Sequence, residues 1–90
     1  MNKVAQIIQA IILNQFNVEI DVNLTRPKPE FGDFATNISM QLSGKLGKNP
    51  REIAQVLVQE LKAEELVEEA TIAGPGFINL KVSATKLEQL

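Results

Sequence analysis

The segment VEEATIAGPGFINLKVS, residues 67–83, decides the fold of this 90-residue chain. It contains two apolar-rich runs, 67–73 and 77–83, on either side of the turn signal Gly-Pro-Gly at 74–76. Both runs have the length and composition of strands, and a short glycine-containing connection is typical of two antiparallel neighbours. The segment therefore predicts a β-hairpin.

The second strand of this hairpin has one apolar and one mixed face. Side chains alternate between the faces of a strand, so Ile78, Leu80 and Val82 point one way. The other face presents Phe77, Asn79 and Lys81. A ring that stacks, an amide that reads a base edge and a cation that meets phosphate suit a nucleobase. In the alternative interpretation, Phe77 packs against Pro75 or the 26–33 loop and closes the hairpin.

Upstream of the hairpin, the first third of the chain predicts one helix and one strand. Apolar residues recur at helical spacing over 1–16, which predicts an amphipathic helix. The period then changes to two over 18–25, which predicts a half-buried strand. Two prolines, Pro27 and Pro29, end that strand and open a loop over 26–33.

Two further helices are predicted in the middle of the chain. Asp33 is the expected N-cap of the second helix, which then begins at Phe34. Gly47 ends that helix. The third helix has a stronger start signal, because Asn49 is a good N-cap and Pro50 suits the first helical position.

The predicted element order is α-β-α-α-β-β. Three amphipathic helices and three one-sided strands pack as a two-layer α+β sandwich, with a small antiparallel-containing sheet on about three helices. Whether the 18–25 strand pairs with the hairpin, and on which edge, is left open by the periodicity.

Composition limits the function. The chain has 9 Lys and Arg against 11 Asp and Glu, a net charge of −2, whereas autonomous nucleic-acid binders are usually basic. It has no Cys and no His, which excludes disulfides, thiol and imidazole catalysis and ordinary zinc sites. We expect no active site and no metal site. The chain also has no long apolar run and no signal-peptide pattern. We therefore expect a cytoplasmic, monomeric domain with no membrane partner.

Three other clusters have a structural and a functional interpretation. Glu64, Glu65, Glu68 and Glu69 form an acidic run that solvation explains without chemistry. In Phe31-Gly32-Asp33-Phe34, Gly32 is expected in a conformation closed to other residues, with the two phenylalanines stapling the loop to a helix. The alternative is a second aromatic contact for a ligand. The third cluster is a solvated basic corner or a phosphate contact, made of Lys45, Lys48 and Arg51.

Three segments in order and at matching spacing resemble a known family. They are FGDFATN at 31–37, NPREIA at 49–54 and AGPGFIN at 73–79. Together they resemble the N-terminal additional domain of arginyl-tRNA synthetase, over residues 1–83. The resemblance implies that 84–90 begin the connection to a catalytic domain that this chain lacks.

The resemblance also implies a function. The family's domain leans on the tRNA elbow and contacts the D-loop, so the expected partners are tRNA(Arg) and the remainder of the synthetase. It implies that Phe77 meets a D-loop base, that Asn79 hydrogen-bonds to it, and that Gly74 contributes through its backbone, with Lys81 beside them. ATP and arginine belong to the catalytic domain of such an enzyme, and no cofactor is expected here. The competing hypothesis is a protein-interaction module that docks through the Phe77 face.

Overall fold

The computed structural model describes residues 2–83. Three helices and three strands follow one another as α1 (Lys3–Phe16), β1 (Phe34–Thr36), α2 (Ile38–Leu46), α3 (Pro50–Leu61), β2 (Val67–Ala73) and β3 (Phe77–Val82), with a 3₁₀ turn at Pro29–Phe31. The expected start of a connection to a catalytic domain, 84–90, lies outside the described residues. None of the described helices is long and apolar enough to cross a membrane.

The strands form one antiparallel sheet in the order β1-β3-β2, with β3 in the centre. One face of this sheet packs on the helices through fully buried side chains such as Ile78 and Leu80, which share a single core with Ile8 of α1 and Leu57 of α3. The predicted α+β architecture, a small antiparallel sheet on three helices, is confirmed.

The predicted strand over 18–25 is wrong. This segment is extended, with Val22 buried as the alternation requires, but it pairs with the sheet only where Thr25 bridges Ala35. Farther back it lies against α1, whose Gln9 side-chain amide donates to the Ile20 carbonyl at 3.3 Å. The first strand of the α-β-α-α-β-β order is therefore Phe34–Thr36, which occupies the sheet position beside β3.

The predicted role of Asp33 as a helix N-cap is also wrong, because α2 begins later, at Ile38. Asp33 instead holds β3. Its backbone N–H donates to the Leu80 carbonyl at 2.7 Å, and its carboxylate accepts from the Val82 N–H at 2.9 Å. A carboxylate satisfies the N–H groups of a strand edge as well as those of a helix start, so the residue type alone does not distinguish the two.

Gly32 has the special conformation that the sequence predicts. Its φ is +125°, and a Cβ at this position would lie 2.5 Å from the Leu80 carbonyl oxygen. Only glycine combines this backbone angle with such a close approach. Gly32 thereby lets the loop close onto β3 one residue before Asp33.

The start of α3 is confirmed as predicted. Pro50 is its first residue, and the Asn49 side-chain oxygen accepts from the Arg51 N–H at 2.8 Å. This start lies next to the hairpin turn, because a Cβ added at Gly76 would meet Pro50 atoms at 3.1 to 3.3 Å. The turn of the hairpin therefore rests on the N-terminus of α3.

We expect Gly32→Ala to lower the free energy of unfolding by at least about 2 kcal/mol, since it adds both backbone strain and a clash with Leu80. Urea denaturation of the 90-residue chain measures this. Gly44→Ala is the matched control, because Gly44 lies inside α2 and a Cβ added there would meet no atom within 4 Å beyond its chain neighbours and the backbone of its own helix. It should stabilise by about 0.5–1 kcal/mol. Equal effects of the two substitutions would contradict the role of Gly32.

Candidate nucleic-acid interface

The sheet face opposite the helices carries the candidate site, and we call it the open sheet face. Strand pairing sets Asn79 of β3 between Ala35 of β1 and Thr71 of β2. On the same face, Glu69 of β2 lies opposite Lys81, and Ala73 lies opposite Phe77. Its residues are Ala35, Glu69, Thr71, Ala73, Phe77, Asn79 and Lys81.

The predicted alternation along β3 is confirmed. Ile78, Leu80 and Val82 are buried, whereas Phe77 and Lys81 are exposed and Asn79 is half-buried. Phe77 keeps 43% of its surface exposed, at the rim of a shallow depression that it shares mainly with polar side chains. The polar members of that rim are Asn23, Thr25, Thr36, Asn37 and Gln41. The ring of Phe77 is thus available to a ligand.

The hairpin turn fixes the backbone beside Phe77. Gly74 has a φ of +57°, and a Cβ added there would lie 3.8 Å from the Phe77 ring. The Arg51 guanidinium donates to the Gly74 carbonyl from the first turn of α3. Gly74 therefore lies near the candidate aromatic, and Arg51 holds its carbonyl.

The hydrogen bond to Gly74 separates Arg51 from the two lysines of the basic corner. Arg51 is tied to the turn, while Lys45 and Lys48 are exposed. The Lys48 backbone is held by the Ser43 hydroxyl, which donates to its carbonyl at 2.6 Å. Only Arg51 of this group is thereby joined to the candidate site.

The two phenylalanines of the 31–34 turn have different environments. Phe34 is buried in β1, with the Arg26 guanidinium carbon 5.5 Å from the centre of its ring. Phe31 is 54% exposed, so the prediction that it staples the loop to a helix is wrong. It borders a second depression on the open sheet face, which also includes Asn79 and Lys81.

Sequence reasoning missed Glu69 and Thr71 as members of this face. Solvation is the role expected for the acidic run, but Glu69 lies on β2 opposite Lys81, and Thr71 lies opposite Asn79. The length of the hairpin turn is the sequence feature that could have identified them. A three-residue connection that pairs Ala73 with Phe77 determines both of these pairs by counting along the strands.

The open sheet face brings five kinds of chemical group together. It offers a ring, an amide, a hydroxyl, one ammonium group and one carboxylate. In residues 2–83 there is no group of three or more acidic, His or Cys side chains arranged to hold a metal ion. Stacking and hydrogen bonding are what such a surface can supply.

Fold and site together define a small α+β domain, with helices on one face of an antiparallel sheet and an aromatic-bearing open face on the other. Residues 1–82 match the family described as the arginyl tRNA synthetase N terminal domain. The chain belongs to this family.

Curated relatives support the same assignment. The arginine–tRNA ligase of Crocosphaera subtropica is 49% identical over 72 residues, which are 80% of this chain and 12% of that protein. The corresponding enzyme of Shewanella halifaxensis is 47% identical over 79 residues, or 88% of this chain and 13% of that protein. The chain thus spans about an eighth of the length of these relatives.

Solved structures of whole synthetases contain the same fold. Arginyl-tRNA synthetase from Plasmodium falciparum superimposes with a TM-score of 0.82 at 25% identity, over 97% of this chain and 16% of that one. The Thermus thermophilus enzyme gives 0.73 at 29% identity, over 96% of this chain and 14% of that one. The architecture is therefore shared with these enzymes despite low identity.

We expect Arg51→Ala to loosen the hairpin turn without unfolding the domain, because it removes one exposed hydrogen bond worth about 0.5–1.5 kcal/mol. Amide hydrogen exchange at Gly76, whose N–H donates to the Ala73 carbonyl, should accelerate about 2- to 10-fold. Lys48→Ala removes an equal charge nearby and should leave that exchange unchanged. If both variants exchanged like the unmodified chain, the Arg51–Gly74 hydrogen bond would not be what holds the turn.

Proposed function

We propose that this chain is the tRNA-recognition domain of an arginyl-tRNA synthetase and that its open sheet face contacts the D-loop of tRNA(Arg). The observation that supports this most strongly is the Phe77 ring, 43% exposed and two residues from the half-buried amide of Asn79 on the same strand face. An exposed aromatic beside an amide is the arrangement by which sheet surfaces bind unstacked bases.

Each residue then has a separate role. The Phe77 ring stacks on one looped-out D-loop base, and the Asn79 side chain both donates and accepts along the edge of that base. Gly74 contributes backbone only, next to the ring, and Lys81 reaches a phosphate. The chain supplies no catalytic group in this proposal, and ATP and arginine bind in the catalytic domain of the cytoplasmic enzyme.

The energetics require help from the rest of the enzyme. Stacking contributes roughly 1–3 kcal/mol and one amide hydrogen bond about 0.5–1.5 kcal/mol, whereas association costs an estimated 4–15 kcal/mol. These contacts alone leave almost no net free energy of binding, so by itself the monomeric domain should bind tRNA with a Kd weaker than millimolar. Inside a synthetase that already holds the tRNA, the same contacts act at high effective concentration. A net charge of −2 is compatible with this division of labour.

We expect Phe77→Ala to lower kcat/KM for tRNA(Arg) roughly 5- to 150-fold and Asn79→Ala roughly 2- to 10-fold, from the loss of stacking and of a hydrogen bond. The measurement is arginylation by a synthetase that carries this chain as its N-terminal domain. Both variants should also discriminate less when the D-loop base is changed.

The chain offers matched controls for both substitutions. Leu13→Ala truncates a side chain on α1 that is 45% exposed, and Gln55→Ala removes an exposed amide on α3. Neither residue belongs to the open sheet face, so both should charge tRNA like the unmodified enzyme. If Phe77→Ala and Asn79→Ala also did so with every D-loop variant, the face would be wrongly assigned.

The exposed Phe77 also favours a second candidate function, docking of this face on a protein, such as the synthetase's own catalytic domain. Truncated apolar contacts at a protein interface would lower activity as well. Kinetics alone therefore do not separate the two functions.

NMR titration of the 90-residue chain at low salt separates them. We expect tRNA to shift the amide signals of residues 74–81, while an added catalytic domain leaves these signals in place. The opposite pattern, with shifts only when the catalytic domain is added, would favour docking and contradict the tRNA assignment.

A further inference from the structure

Phe31 is the most exposed large apolar side chain of the described residues, and it is not part of the hydrophobic core. It lies at the end of the open sheet face that is remote from Phe77, beside Asn79 and Lys81. From Phe77 to Lys81 the strand rises by about 13 Å. One sheet face therefore displays two aromatic rings, with Asn79 between them.

The turn that carries Phe31 is held in place. The Phe31 N–H donates to the Lys28 carbonyl at 2.9 Å, and the preceding residues form the Pro29–Phe31 turn. Immediately afterwards Gly32 closes onto Leu80, and Asp33 bonds to β3 at two positions. The backbone that carries the ring is thus held against β3, the strand of Asn79, and has little conformational freedom to lose on binding.

The depression beside Phe31 has the charge of a base site rather than of a phosphate site. Its rim combines the carboxylates of Glu30 and Glu69 with the single ammonium of Lys81. Two carboxylates against one cation disfavour a phosphate inside the depression, so the phosphate that Lys81 reaches would lie outside it. The Thr71 hydroxyl and the Asn79 amide add neutral hydrogen-bonding groups.

We propose that Phe31 forms a second base-binding subsite, which takes an unpaired nucleobase from the same RNA segment whose neighbouring base stacks on Phe77. Asn79 lies between the two rings and contacts the RNA from the middle of the face. This proposal rests on the proposed function, because it assumes that an unpaired RNA loop reaches this surface.

The test uses the synthetase that carries this chain and measures the Kd for tRNA(Arg) as a function of salt. Phe31→Ala should raise the Kd about 5- to 100-fold, as expected for one lost stacked base. Phe31→Tyr keeps the ring and should remain within about twofold, whereas Phe31→Leu keeps apolar area without a ring and should resemble Phe31→Ala. The slope of log Kd against log salt should not change, because stacking releases no counterions.

Two controls accompany these variants. Leu13→Ala should bind tRNA like the unmodified enzyme, and the KM values for ATP and arginine should be unchanged in all variants. Thermal unfolding of the 90-residue chain should shift little for Phe31→Ala, because the side chain is mostly exposed.

The outcomes distinguish this subsite from the proposed function. If Phe77→Ala weakens binding and Phe31→Ala does not, the second subsite fails and the proposed function stands. If neither Phe77→Ala nor Phe31→Ala weakens binding, both the second subsite and the proposed function fail. A Phe31→Leu variant that binds like the unmodified enzyme, or a Phe31→Ala variant with a changed salt slope, would overturn base stacking at Phe31.

Discussion

β3 is hydrogen-bonded along both edges, and this double pairing is the constraint on which the rest of the structure depends. β2 reaches it through a short turn, but β1 arrives from far away in the chain and is only three residues long. Gly32 and Asp33 make that pairing possible, the first by its close approach to Leu80 and the second by serving the Val82 N–H. Backbone groups at the central strand would otherwise lack partners.

The same constraint produces the candidate site. Because β3 is central and its inner side chains fill the core, its alternate side chains must lie on the outer face, between β1 and β2. The contacts of Gly32 and Asp33 with β3 also bring Phe31 to one end of that face. At the other end, the hydrogen bond from Arg51 to Gly74 holds the hairpin turn. Two separate features of the fold, a loop closure and a helix start, therefore position the two exposed rings.

Local patterns predicted the elements that depend on local physics. The hairpin, the Asn49–Pro50 helix start and the conformation of Gly32 follow from alternation, capping chemistry and the absence of a Cβ, all readable within a few residues. The first strand was misplaced because 18–25 alternates without sheet partners, whereas Phe34–Thr36 becomes a strand through a long-range pairing with β3. The role of Asp33 is missed for the same reason, since its partner Val82 lies 49 residues ahead. Phe31 is missed because no local pattern shows that its ring stays outside the core.

We propose that this acidic domain reads RNA through neutral groups, and a structure of the synthetase bound to tRNA(Arg) would show whether it does. The quantity to measure is the separation between the Phe77 ring and the nearest D-loop base. We expect a base stacked on the ring at van der Waals distance, with its edge within hydrogen-bonding reach of Asn79. A D-loop that lies away from this face, or a Phe77 ring buried against the enzyme's own catalytic domain, would contradict it.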